Sequence, residues 1–170
     1  QAAYEELVLL GLGMRMANKS AREEKAPIVI RSKSLPSSTG ALWKKITGNL
    51  GFELTDDQKN ALREIQGDLK REKPMNRLVQ GDVGSGKTAV AVLSMAMTAL
   101  MGKQAVLLAP TSVLAKQHYD SAYALLKDSG LNVVLLLGKT KAALKKEIKD
   151  QLKKNEASVI IGTHAVLSDD

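Results

Sequence analysis

The stretch that most constrains this chain is Gln80-Gly81-Asp82-Val83-Gly84-Ser85-Gly86-Lys87-Thr88. It spells G-x-x-x-x-G-K-T between a short β-rich segment, Arg77 to Gln80, and an apolar run of helical spacing, Ala89 to Met101. A strand that turns through glycines into a helix is the frame of a phosphate-binding loop. Successive backbone N–H groups can wrap a triphosphate if no side chains stand in the way. Gly81, Gly84 and Gly86 remove those side chains and permit positive φ. The backbone of Val83 and Ser85 completes the cradle, and Lys87 brings a point charge to the β- and γ-phosphates. Thr88 offers a hydroxyl to Mg²⁺ carried by the nucleotide, and the helix that starts near Lys87 turns its positive end toward the same phosphates. The expected ligands are therefore a nucleoside triphosphate and its Mg²⁺, with Lys87 as the cation on the phosphates.

Downstream, apolar runs alternate with helical patterns. Ala105-Val106-Leu107-Leu108-Ala109, Asn132 to Leu137 and Ser158 to Ile161 are short and continuous, as strands buried on both faces of a parallel sheet are. Arg77 to Gln80 is expected to add a further strand at the start. Between them, Val113 to Lys127 and Lys141 to Lys154 read as helices. The second carries Leu144, Ile148 and Leu152 on one side and a solvated face of Lys141, Lys145 and Lys149 on another. This alternation predicts an α/β fold, a parallel sheet with helices on both faces. Ligands of such sheets bind beyond the carboxyl ends of the strands. That edge collects the phosphate loop, Pro110-Thr111, Gly138-Lys139-Thr140 and Gly162-Thr163-His164. Their hydroxyls, small residues and Lys139 can touch a phosphodiester backbone without reading sequence, or can simply be strand-to-helix turn chemistry.

Ahead of the loop, Thr55 and Gln58 have capping-box spacing, and Asp56 and Asp57 suit a helix N-terminus. The helix runs through Leu62, Ile65 and Leu69 to about Arg71, and Pro74 marks its end. Gln58 has a second reading as an adenine contact, because its amide offers both a donor and an acceptor, with Phe52 flanking the ring. The two roles are compatible. Further upstream, Ala41 to Leu50 reads as a short helix, Asn18 to Gly40 as a basic, Ser- and Pro-containing linker, and Tyr4 to Ala17 as a helix. The expected division is 1–45, helix plus linker, and 46–170, the nucleotide-binding domain.

Composition excludes several classes. The chain has no cysteine and only two histidines, His118 and His164, so disulfides and Cys- or His-rich metal clusters are out. No apolar run approaches the ~18 residues of a membrane span. A net charge of +7 over 170 residues favours polyanionic partners, while 3% aromatic residues leave few stacking platforms. The start lacks an initiator Met and a basic signal region, which reads as a piece of a longer chain.

Together these motifs resemble the first half of a RecG-type DNA helicase, a superfamily 2 translocase. Phe52-x-Leu54-Thr55-x-x-Gln58 is similar to the adenine-recognising motif of that family, and Pro74 through Thr88 resembles its extended nucleotide motif. Ala109-Pro110-Thr111-Ser112-Val113-Leu114-Ala115-Lys116-Gln117-His118 resembles motif Ia, and Leu136-Leu137-Gly138-Lys139 the next block, where members often carry Thr-Gly-Ser. Ile160-Ile161-Gly162-Thr163-His164-Ala165 resembles the block before the acidic motif. A transcription-repair coupling translocase shares Gly-Asp-Val-Gly but usually has Cys at the position of Gln80 and Phe at that of Ser85. The resemblance implies an incomplete RecA-like first lobe of an ATP-driven motor for branched DNA, with Pro110, Thr111, Gln117, His118, Gly138, Lys139, Thr163 and His164 as DNA contacts. It also implies a monomer working in the cytoplasm at the nucleoid, an organelle version needing a transit peptide upstream. The chain stops at Asp170, before that family's acidic motif and second lobe, so by itself it is expected to bind nucleotide weakly and not to turn it over. A nucleotide-dependent switch without a DNA role is the reading from another class.

Overall fold

The structure, a computed structural model, describes residues 39–166. The expected helix Tyr4–Ala17 and nearly all of the linker lie outside the described residues. The elements in order are α1 (Thr39–Gly48), α2 (Asp56–Leu69), α3 (Lys87–Leu100), β1 (Ala105–Leu108), α4 (Ser112–Leu126), β2 (Val133–Leu136), α5 (Ala142–Lys153), β3 (Val159–Gly162) and a 3₁₀ turn, His164–Val166.

The helices start where their caps dictate. The Thr55 side chain accepts from the Gln58 N–H while the Gln58 side chain accepts from the Thr55 N–H, a complete capping box at the head of α2. Such a cap is worth about 1 kcal/mol. Thr111 opens α4 in the same manner, its hydroxyl accepting from the Leu114 N–H. Gly102, at φ 70°, turns the chain out of α3 and into β1.

The three strands are all parallel, in the order β1-β3-β2. Their alternation sorts two cores. Val133, Val159 and Ile161 face α3 and α4, where Leu93, Ala96 and Leu126 are buried, with Ile46 of α1 sealing the cluster. Val134, Leu136 and Ile160 face α5 through Ile148 and Ala157. Helices therefore cover both faces, as the βαβ alternation predicts. The helix after the phosphate loop is the central one: besides Val90, Leu93, Ala96 and Leu100, it buries Val92, Met95 and Ala99.

Three expectations need correction. Arg77 to Gln80 is not a strand, and the sheet of the described residues has three strands. A strand exists by its ladder partners, and this segment has none there; Leu78 is 86% exposed, while Arg77 is drawn sideways onto α2 by Glu64 and Asp68. Second, β1 is not buried on both faces. Val106 and Leu108 stand half-exposed because α5 packs over β2 and leaves that side of β1 open. Third, Leu144 does not share the buried side of α5 with Ile148; it is 47% exposed.

The register levels the sheet's carboxyl edge. Leu108, Gly162 and Leu136 are aligned across the three strands, so every following loop leaves from one line. Gly162 is required there, since a Cβ on it would overlap the Leu136 carbonyl oxygen and Val166 Cγ2. Backbone cannot retreat as a flexible side chain can. Gly162→Ala is therefore expected to cost about 1–3 kcal/mol, the range of overpacking, read from urea unfolding; unchanged stability would show that β2 and β3 separate freely at this edge.

Candidate nucleotide site

α3 runs back along the sheet toward the phosphate loop. Its last residue, Leu100, is joined to β1 by only Met101–Gln104, so its C-terminus lies at the amino edge of the sheet and its head, Lys87, at the carboxyl edge. Gly86 is the N-cap, at φ 79° in the left-handed region, and no side chain caps the helix. Its first-turn N–H groups thus take no side-chain partner, the arrangement that suits an anion. Gly84 is also left-handed, at φ 84°, and the turn is closed by the Ser85 N–H donating to the Asp82 carbonyl at 3.1 Å. Gly81 is packed closely as well: a Cβ there would come within 2.8 Å of Ser85 Oγ, which would have to turn aside.

Lys87 Nζ sits in the hollow of this loop. It donates to the Gly81 carbonyl at 2.7 Å and the Asp82 carbonyl at 2.6 Å, with Ser85 Oγ at 3.5 Å. The ammonium is exposed, and its partners are neutral oxygens that a phosphate outcompetes by charge. Thr88 is half-buried in the first turn of α3, and Val83 at the tip is fully exposed. Among the described residues no group of three or more His, Cys, Asp or Glu could hold a metal ion. The Thr88 hydroxyl is a hard oxygen donor of the kind Mg²⁺ takes, and one such donor would leave the remaining positions to phosphate oxygens and water.

Gln58 reaches this loop directly. Its Nε2 donates to the Ser85 carbonyl at 2.9 Å while its Oε1 accepts from Thr55. The same amide fills the space beside Gly86, where a Cβ would overlap it. Sequence spacing pointed to Gln58 as a cap and an adenine contact; its tie to the phosphate loop had no local signal. Phe52 is 53% exposed nearby in the chain.

A second tie lies upstream. Arg77 Nε donates to Asp68 Oδ2 at 2.6 Å, and its Nη1 meets Glu64. Asp68 is buried, and Arg71 Nη1 stands 3.1 Å from its other oxygen. The hydrogen bond from Arg77, aided by the charges of Arg77 and Arg71, holds the Asp68 carboxyl below the ordinary carboxylate range against the opposing effect of burial. Sequence reasoning missed this cluster because a turn separates Arg77 from α2, and no periodicity links residues across a turn.

The other predicted contacts divide. Pro110, Thr111, Gly138, Lys139 and His164 are exposed, and Thr163 half-buried, along the carboxyl edge. The Gly138-Lys139 turn is fixed by Thr140, whose hydroxyl accepts from the Leu137 N–H at 2.9 Å. Gln117 and His118 lie further on, in the second turn of α4, with Gln117 exposed and His118 half-buried. A groove of about 520 Å³ between α1, α2 and α3, lined by Trp43, Leu62 and Met97 among others, contains no residue of the phosphate loop.

A parallel sheet with a glycine-rich loop feeding a helix at its carboxyl edge defines a P-loop nucleotide-binding lobe. The chain belongs to the DEAD/DEAH box helicase family, which matches residues 55–170. It is 41% identical over 167 residues to the ATP-dependent DNA helicase RecG of Aquifex aeolicus, covering 98% of this chain and 20% of that protein. Against RecG of Bacillus subtilis it is 40% identical over 167 residues, covering 98% of this chain and 24% of the relative. The chain thus spans about a fifth to a quarter of the curated relatives it matches. Among solved structures, it is similar to RecG bound to a three-way DNA junction, with a TM-score of 0.82, 38% identity, and coverage of 98% of this chain and 22% of that one. A hypothetical ATP-dependent RNA helicase from Sulfolobus tokodaii shares the fold at a TM-score of 0.55 and 20% identity, over 75% of this chain and 35% of that one.

The Asp68 environment gives a pH prediction. Its lowered folded-state pKa stabilises the fold above the unfolded carboxylate value of about 4. That stability is lost as pH falls through the lower, folded value. Arg77→Gln is expected to reduce the fall in urea midpoint between neutral pH and acid; an identical fall in the variant would place the acid-sensitive group elsewhere.

Proposed function

We propose that this chain is the ATP-binding lobe of a helicase that remodels branched DNA, such as stalled replication forks and Holliday junctions. The observation that carries the reading is the placement of Gly81–Thr88 and three further loops on one edge of a parallel sheet. The similarity to RecG on a three-way junction supports branched DNA as the partner.

In this reading Lys87 leaves the carbonyls of Gly81 and Asp82 for the β- and γ-phosphates, and the N–H groups at the head of α3 hold phosphate oxygens. Gly81, Val83, Gly84, Ser85 and Gly86 supply backbone to the cradle. Thr88 would hold Mg²⁺ together with the nucleotide, and the ion would supply charge neutralisation at the phosphates. Gln58 can meet adenine without leaving its present partners, because its amide keeps a second lone pair and a second N–H. Phe52 flanks the ring.

Pro110, Thr111, Gly138, Lys139, Thr163 and His164 meet a phosphodiester backbone along the carboxyl edge, with Gln117 and His118 extending the track onto α4. Thr111 already uses its oxygen as an acceptor in capping, but its O–H remains to donate. Such contacts position DNA and carry no sequence preference. No helix among the described residues is long and apolar enough to cross a membrane. The proposed protein works as a monomer in the bacterial cytoplasm, at the nucleoid.

ATP hydrolysis by the full-length protein tests this. Forked DNA is expected to stimulate turnover well beyond linear duplex or single strands. Lys87→Ala is expected to lower it at least about a hundredfold, the scale of losing one charge-stabilising donor. Equal stimulation by all three DNAs would remove branch recognition from the proposal, and full activity in the Lys87 variant would remove the site.

A further inference from the structure

Residues 71–80 are exposed throughout and no ladder partner among the described residues holds Arg77–Gln80. The phosphate loop is nevertheless tied down by side chains, and both ties lead to α2. Upstream, Arg77 is bound to Asp68 and Glu64. Downstream, Ser85 is bound to Gln58. Gln58 and Asp68 stand about 15 Å apart along the helix at 1.5 Å per residue. The two ties hold Arg77 and Ser85 to one helix, and between them the Gly81 and Asp82 carbonyls accept from Lys87 Nζ.

We propose that the Asp68–Arg77 pair positions the phosphate loop for nucleotide, acting as the upstream half of a two-point grip by α2 whose downstream half is Gln58. The pair touches no phosphate; it acts through the path of residues 77–81. The inference rests on the nucleotide reading for its effect on binding but not for its effect on the loop. The chemistry of the cluster separates this role from simple fold support. Asp68 has a second cation, Arg71, on its other oxygen. Removing Arg77 therefore does not strand a buried carboxylate, the event that makes broken buried pairs so destabilising. The loop loses its anchor while α2 keeps its charge balance. Asp68→Asn takes the charge from the other side of the pair and keeps the shape of the side chain, leaving Glu64 as the one carboxylate on Arg77.

The test uses the full chain in four forms: unaltered, Arg77→Gln, Asp68→Asn and the double variant. Binding of a fluorescent ATP analogue with Mg²⁺ and amide hydrogen exchange are measured on each, with urea unfolding as the check on fold. Each single variant is expected to weaken nucleotide binding about tenfold, the scale of losing a hydrogen bond to a charged group. Exchange should quicken across residues 78–88 and stay unchanged in β3 and the centre of α3. The double variant should be no worse than the worse single, because both remove one interaction. Unaltered binding together with unaltered exchange in the single variants overturns the proposal, as does full additivity in the double. Lys87→Ala is the control on the underlying reading. If it binds like the unaltered chain, the nucleotide reading fails, and loop exchange alone then decides whether the grip exists. If a variant unfolds, Arg77→Lys replaces it; loop protection matching the unaltered chain when charge alone is kept would overturn the role of the guanidinium.

Discussion

Three parallel strands end level because Gly162 lets the end of β3 come against the Leu136 carbonyl without a side chain between them. Most of the functional geometry depends on that close approach. It puts Ala109, Leu137 and Thr163 on one line, and the Ala109 N–H secures the line by donating to the Gly162 carbonyl at 2.8 Å. Because α3 runs antiparallel to the strands, the phosphate loop arrives on the same line. A site that needs one loop for phosphates and others for a second ligand can be assembled from such an edge without any loop being long.

The phosphate loop is held differently from the rest of that edge. The loops after β1, β2 and β3 grow out of paired strands and inherit their rigidity. Among the described residues, the loop before α3 is tied to α2 by side chains and has no ladder. Gln58 does three things with one amide: it caps its own helix, binds the Ser85 carbonyl and lies against Gly86, whose left-handed φ already favours glycine. Local caps and long-range ties are usually separate devices; here they share an atom group, so head of helix and loop are fixed together.

Much of this was legible in the sequence, for identifiable reasons. The G-x-x-x-x-G-K-T spacing specifies its own backbone, and Gly84 and Gly86 adopt the left-handed φ that their identity permits. The capping box at Thr55 and Gln58 is a local rule, and local rules survive into structure. Continuous apolar runs located β1, β2 and β3. The failures are equally physical. Arg77-Leu78-Val79-Gln80 has strand composition, but composition cannot supply a partner, and a strand is defined by its partner. Val106 and Leu108 look buried in the sequence because apolarity does not say how far a covering helix extends. The Asp68–Arg77 tie and the Gln58–Ser85 tie cross a turn, where no period of 2 or 3.6 applies.

A nucleotide is proposed to sit in the loop that α2 holds. Backbone amide NMR of this 18.3 kDa chain during titration with Mg²⁺ and ATP tests it most directly, since chemical shifts report even weak binding residue by residue. The largest changes are expected at Gly81, Gly84, Gly86, Lys87 and Thr88 and in the side-chain amide of Gln58, with little change in the groove beside Trp43. Changes concentrated in that groove, or none at the glycines at saturating nucleotide, would contradict it.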